Sequence, residues 1–326
     1  MTDLIFAINA TAPIVLMVVV GYFLKRFGML DGGVARVLNK LVFRVFLPSM
    51  LFLNMYKIES LADVDFGFVW YTVIATVLLF CAAVGAVILF TKENPKRGAL
   101  LQSVFRANYA LVGIPLATSL FGDEGAIAAT VLSAFIIPVF NSLAVVGLCL
   151  FSSDKRPSVK KILIGILKNP LIQAIALGFV ALGIRAVFVK FGVAFRLTDV
   201  VPVYKTLTNL SSVATPLALL VLGAQFDFAA IPHLKRHIIF GVAARNLVAP
   251  VLGLGIAYLI GSFNGAHFAT FVAVFCTPVA VSSVPMAQEM DADVSLAGQL
   301  VIWSTLFSAL SIFLGSYVLK MLGVFG

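Results

Sequence analysis

Residues 108–122 read NYALVGIPLATSLFG. The stretch lies in an apolar segment of membrane-crossing length, yet it holds Gly113, Pro115 and the polar pair Asn108-Tyr109. Proline has no N–H for the helical ladder and its ring clashes with the preceding turn. A helix is therefore expected to break or kink here. Irregular backbone at that depth survives only where protein buries it or it lines a wet cavity. A second stretch, residues 277–289, reads TPVAVSSVPMAQE and carries Pro278, Pro285 and the pair Ser282-Ser283. Setting Pro115 on Pro285 also pairs Leu116 with Met286, Ala117 with Ala287 and Asp123 with Asp293. Two proline-interrupted spans in corresponding places of two halves point to a transporter's binding site.

The composition agrees. The chain is 61% hydrophobic and 11% charged, with a mean hydropathy of +1.10. Soluble domains carry roughly 25% charged residues, so the fold class expected is an all-α polytopic membrane protein. At about 20 residues per crossing the length admits about ten spans. They are read at 4–24, 34–54, 66–90, 98–121, 126–151, 166–188, 205–225, 238–260, 267–288 and 294–322. No basic leader precedes the first apolar stretch, which is read as a retained span. Cys81, Cys149 and Cys276 each lie in apolar sequence and read as packing residues, with no disulfide expected.

The net charge of +9 reads as the Lys/Arg excess of cytoplasmic loops, and its scatter over many loops argues against a nucleic-acid surface. Loops 24–40, 91–98 and 152–168, with Lys235-Arg236, carry most of that charge and fall on one side if spans alternate. Both termini are then expected outside, although the basic residues of 185–205 run against this assignment. The polar loop starting SSDKRPSVKK divides the chain into 1–151, a linker at 152–165, and 166–326. Five spans on each side require the second half to be inverted. Pro48 and Pro216, in spans two and seven, loosely support that repeat.

Three cations interrupt apolar spans, namely Arg44, Arg106 and Arg245, and no carboxylate lies near any span centre. Charges at such depth are functional by default. Arg44 and Arg106 also lie close enough to the cytoplasmic ends to snorkel there, and Arg245 admits either reading. Helix N-termini facing the breaks would favour an anion. Asn108 and Ser282/Ser283 are the candidate direct donors, and Arg245 or Arg106 the source of positive potential. Tyr109, Gly113, Pro115, Thr277 and Pro278 would shape the site. Back-bonding to the preceding turn is the alternative for the serines. His233 and His237 in HLKRH lack the glutamate of a zinc hydrolase and read as a solvated juxtamembrane loop. No nucleophile or phosphate-binding motif appears, so no enzyme and no cofactor is expected. Glu289, Asp291 and Asp293 are expected to cap span ten.

These residues resemble the auxin efflux carrier family, which includes plant auxin exporters and bacterial permeases for malate, malonate and related acids. Asn108, Gly113-Ile114-Pro115-Leu116 and Phe121-Gly122 match the fourth-span motif of the plant carriers without a gap. Pro278 with Ala287-Gln288-Glu289 is similar to the ninth-span motif, and Leu38-Asn39-Lys40-Leu41 with Leu47-Pro48 to the bacterial members. The resemblance covers the whole chain. It implies ten helices as two inverted five-helix repeats, with broken crossover helices four and nine holding the substrate. It further implies a homodimer through a scaffold of spans one, two, six and seven, and elevator-type movement of the rest. The expected setting is the lipid bilayer of a bacterial inner membrane, and the substrate a small organic anion. The long cytoplasmic loop of the plant exporters is absent, and Tyr71-Thr72 stand where those carriers have an acid. Both departures turn the expectation from auxin to a mono- or dicarboxylate. Two other readings stay open. One is a sodium-coupled symporter of the bile-acid type, with sodium at Thr277, Ser282 and Ser283. The other is a transport-inactive sensor that binds the anion.

Overall fold

The structure, a computed structural model, describes residues 2–57, 66–152, 164 and 167–325. The dividing linker at 152–165 thus lies outside the described residues, apart from Ser152 and Ile164. The described chain is helical, with one isolated backbone bridge between Ala107 and Val279. We number the helices α1 (Thr2–Arg26), α2 (Gly32–Tyr56), α3 (Phe66–Phe90), α4 (Asn94–Phe105) and α5 (Tyr109–Leu150). The second half holds α6 (Pro170–Lys190), α7 (Val201–Gln225), α8 (Phe228–Ile260), α9 (Gly265–Phe275), α10 (Ser283–Glu289) and α11 (Val294–Met321). Seven of the described helices are long and apolar enough to cross a bilayer, and α9, at 11 residues, is an apolar helix too short to do so.

Prolines write the irregularities. Pro48, Pro115 and Pro250 each stand at the second position of an α-helical segment, directly after a five-residue π turn. Those wide turns are Val42–Phe46, Tyr109–Gly113 and Ala244–Val248. The missing N–H and the ring's clash with the preceding carbonyl are relieved when the ladder opens by one residue. Pro216 lies inside α7 with no such turn, so the two prolines paired across the halves act differently. A straight helix the length of α5 would run about 63 Å, twice the hydrocarbon thickness. It bends instead at Phe121-Gly122, where Gly122 takes a φ of 58° that a side chain would resist. The fourth span was expected to end at that position.

Glycines let α1 and α7 pack backbone against backbone. A Cβ on Gly223 of α7 would lie 2.0 Å from the Val18 carbonyl of α1, and one on Gly21 would lie 2.1 Å from the Leu220 carbonyl. Small residues facing each other let membrane helices approach where water gives no hydrophobic drive. Outward, Leu89 and Leu259 are 90% and 83% exposed, as suits side chains facing lipid. HLKRH, expected in a loop, lies in the first turns of the helix Ile231–Ala243, where Arg236 stacks 4.8 Å over the Phe90 ring. Cys81 is exposed, and of the three cysteines only Cys276 is fully buried.

Candidate functional site

The chain unwinds where α4 ends. Arg106 is extended (φ −93°, ψ 101°), and Asn108 is also outside the helical range (φ −80°, ψ 58°). A second unwound segment, 276–282, separates α9 from α10. The two breaks satisfy each other. The Asn108 N–H donates to the Pro278 carbonyl at 2.8 Å, and the Ala280 N–H donates to the Arg106 carbonyl at 3.2 Å. The Val279 N–H donates to the Ser304 hydroxyl at 3.0 Å. Backbone that leaves the helical ladder inside the protein is thereby paired. The first break precedes Pro115 instead of falling on it, because proline costs little in the first turn, where its N–H would be unpaired anyway.

Arg106 stands in this crossing and does not snorkel, being only 2% exposed. One terminal nitrogen donates to Gln102 Oε1 at 2.9 Å and Ser283 Oγ at 3.2 Å. The other donates to Asn141 Oδ1 at 2.7 Å and Ser282 Oγ at 2.8 Å. All four partners are neutral, and no acidic side chain pairs with Arg106 among the described residues. Each serine oxygen accepts from the guanidinium, so its own O–H remains to donate elsewhere. The result is a buried positive charge held by neutral side chains alone.

Beside Arg106 lies a cavity of about 210 Å³. One wall is the first break, Arg106–Leu111, with Ala280–Ser282 and Asn141; the facing wall is α2 and α7, through Leu51, Asn54, Ala214 and Thr215. Asn108 lines it, 8% exposed, and its side-chain N–H group is buried without a partner. An unpartnered amide donor and a cation without an acidic partner among the described residues thus line one cavity.

The other candidates are distributed unevenly. Tyr109 also lines the cavity and its hydroxyl donates to the Ala129 carbonyl at 2.9 Å, bracing the break against α5. Gly113 lets α9 approach, since a Cβ there would lie 3.0 Å from the Ala273 carbonyl. Pro115 is exposed on α5, and Pro278 contributes its carbonyl to the bridge. Ser282 lines the cavity and Ser283 stands behind it on Arg106. Thr277 is fully buried and back-bonds to the Ala273 carbonyl at 2.7 Å. Sodium at the two serines would face the Arg106 guanidinium, an unfavourable neighbour. Among the described residues no cluster of three His, Cys, Asp or Glu could hold a metal ion.

Arg245 departs most from expectation. It is fully buried, does not line the cavity, and spends its donors on backbone carbonyls. Arg44 stays exposed and pairs with Glu289 at 3.5 Å. Of the three acids expected to cap the last span, Asp293 does so, accepting from the Leu296 N–H at 2.9 Å. Sequence reasoning missed Gln102, Asn141, Asn54 and Thr215. An asparagine inside a run as apolar as FIIPVFNSLAVV, residues 135–146, was the available signal for Asn141.

Comparison with known proteins bears on what this arrangement serves. The chain is 27% identical over 319 residues to an uncharacterized transporter of Methanocaldococcus jannaschii, covering 94% of this chain and 96% of the relative. It is 25% identical over 312 residues to an uncharacterized transporter of Methanothermobacter thermautotrophicus, with the same coverage. A Rhizobium meliloti protein named "Putative malonate transporter" is 24% identical over 276 residues, covering 83% of this chain and 80% of the relative. The family model described as "Membrane transport protein" matches residues 6–315. With apolar helices of spanning length, that match makes this an integral membrane protein, and the chain belongs to the membrane transport protein family, the auxin efflux carriers that its motifs resemble.

Proposed function

We propose that the protein is a secondary carrier of a small organic anion, a mono- or dicarboxylate of the size of malonate or malate. The observation that carries this reading is Arg106, a buried cation held only by neutral side chains at the edge of a small cavity. A carboxylate there would take the field of the guanidinium, the unpartnered Asn108 amide and the Ser282 hydroxyl, while the aliphatic wall of α2 would seat its carbon chain. The relative named for malonate supports the substrate class.

The cavity's two walls suggest how the anion crosses. One wall is the broken segments; the other is α2 and α7. We read the first as a moving body that slides along the second, an elevator, with the whole chain as ten crossings in two inverted repeats. We read α1, α2, α6 and α7 as the frame through which two copies would pair, on the strength of the family resemblance alone. Lys/Arg-rich loops support a plasma-membrane setting with both termini outside.

The test is a thermal-shift screen of the purified protein with malonate, malate, succinate and lactate, followed by uptake into proteoliposomes. A ligand that binds only the folded state raises its melting temperature by mass action. Stabilisation by one acid, lost in Arg106→Ala, is the expected result. Stabilisation by a cationic or neutral solute, with indifference to every acid, would overturn the reading.

A further inference from the structure

The second buried arginine has no role in the cavity, and its surroundings ask for a different one. Arg245 rises from the π turn of α8 into the point where α4 and α9 both end. Its Nε donates to the Thr277 carbonyl at 2.7 Å, and its terminal nitrogens donate to the Val274 carbonyl at 2.6 Å and the Val104 carbonyl at 3.5 Å. Val104 and Val274 belong to the last turns of α4 and α9, whose final carbonyls have no partner within their own helix. Each helix also presents the negative end of its dipole there. Three carbonyl oxygens and two negative helix ends thus converge on one buried point, and no acidic side chain pairs with the arginine among the described residues.

Convergent carbonyls from unwound helices and half-helix C-terminal ends are how many carriers coordinate a coupling cation. We propose that Arg245 is the resident cation of such a site, so that the protein needs no free monovalent cation to hold its broken helices together. The planar fork suits three acceptors spread around it better than an ammonium would. This inference rests on the carrier reading only for its consequence, independence of transport from sodium. The site itself is defined by backbone geometry.

The experiment uses melting temperature, which requires no substrate and so fails or succeeds apart from the anion assignment. The full-length protein is melted in sodium, potassium or N-methylglucamine chloride, and wild type is expected to respond to none of the substitutions. Arg245→Ala is expected to melt lower by on the order of 5 °C or more. It should recover part of that loss with guanidinium at sub-denaturing concentration, or with sodium, and none with N-methylglucamine. Should the alanine variant fail to fold, Arg245→Gln keeps hydrogen-bond donors without the charge and should acquire the same cation response. Stabilisation of wild type by sodium over N-methylglucamine would overturn the proposal. So would a folded variant whose melting no cation changes.

Discussion

Two guanidiniums lie buried at the junction of the broken helices, and they are held in opposite ways. Arg106 is gripped by four side-chain oxygens and borders a cavity. Arg245 is gripped by backbone carbonyls and does not line that cavity. Side-chain oxygens on different helices can part and re-form as helices move, and each serine still has a proton to give a ligand. Carbonyls at helix ends are fixed features of the fold. On the proposed reading the same residue type serves as a ligand's counter-charge in one place and as a bolt in the other, and the acceptors around it are what separates the two.

That distinction breaks if the two arginines behave alike on mutation. Arg106→Ala should cost on the order of 100-fold in anion affinity or uptake, since one charge-assisted contact contributes roughly 1.5–3 kcal/mol. Its melting temperature without ligand should stay near wild type, because the partners left behind can rotate toward one another or take water from the cavity. Arg245→Lys should do the reverse, lowering the melting temperature while the folded fraction binds the anion normally. Isothermal titration with parallel calorimetric melts separates the two.

Gly113→Ala sharpens the boundary between site and frame. Its added carbon would press on Tyr109 and the Ala273 carbonyl, at a cost of about 1–3 kcal/mol by overpacking. A thermal melt should record this as lost stability with unchanged ligand affinity. Asn108→Ala should weaken anion binding about tenfold, by roughly 1.4 kcal/mol. It should not destabilise the free protein, since it deletes a buried amide group that has no partner. A lowered melting point with unaltered binding would move Asn108 from the site to the frame. Glu289→Gln should be the smallest effect. Its ion pair with Arg44 joins a side chain 60% exposed to one 14% exposed, and such pairs contribute about 0–1 kcal/mol. Uptake should change by less than a few-fold.

Several of these residues were legible before any coordinates. Asn108 and Ser282/Ser283 stood out as polar groups within proline-interrupted apolar sequence, and they do gather at the crossing with Arg106. The position of the break was not legible. Pro115 marks a site where a helix starts comfortably as readily as one where it breaks, and the unwinding at Arg106–Asn108 exists because Pro278 and Ala280 supply its backbone partners from 170 or so residues away. The choice between Arg106 and Arg245 was likewise beyond a single line of sequence. Both are lone cations in apolar runs, with the same intrinsic chemistry.

The sequence by itself determined that this is a helical membrane protein, because hydrophobic runs of spanning length with few charges have no other stable solvent than a bilayer. It also determined which polar residues had to find partners at depth. Only the tertiary structure decided what those partners are. Hydrogen bonds between residues 106 and 141, 106 and 282, or 245 and 277 join segments far apart in the chain. Local propensity and periodicity reach one turn in either direction, whereas the direction in which a buried arginine points is fixed by which distant carbonyls and hydroxyls the packed helices bring beside it.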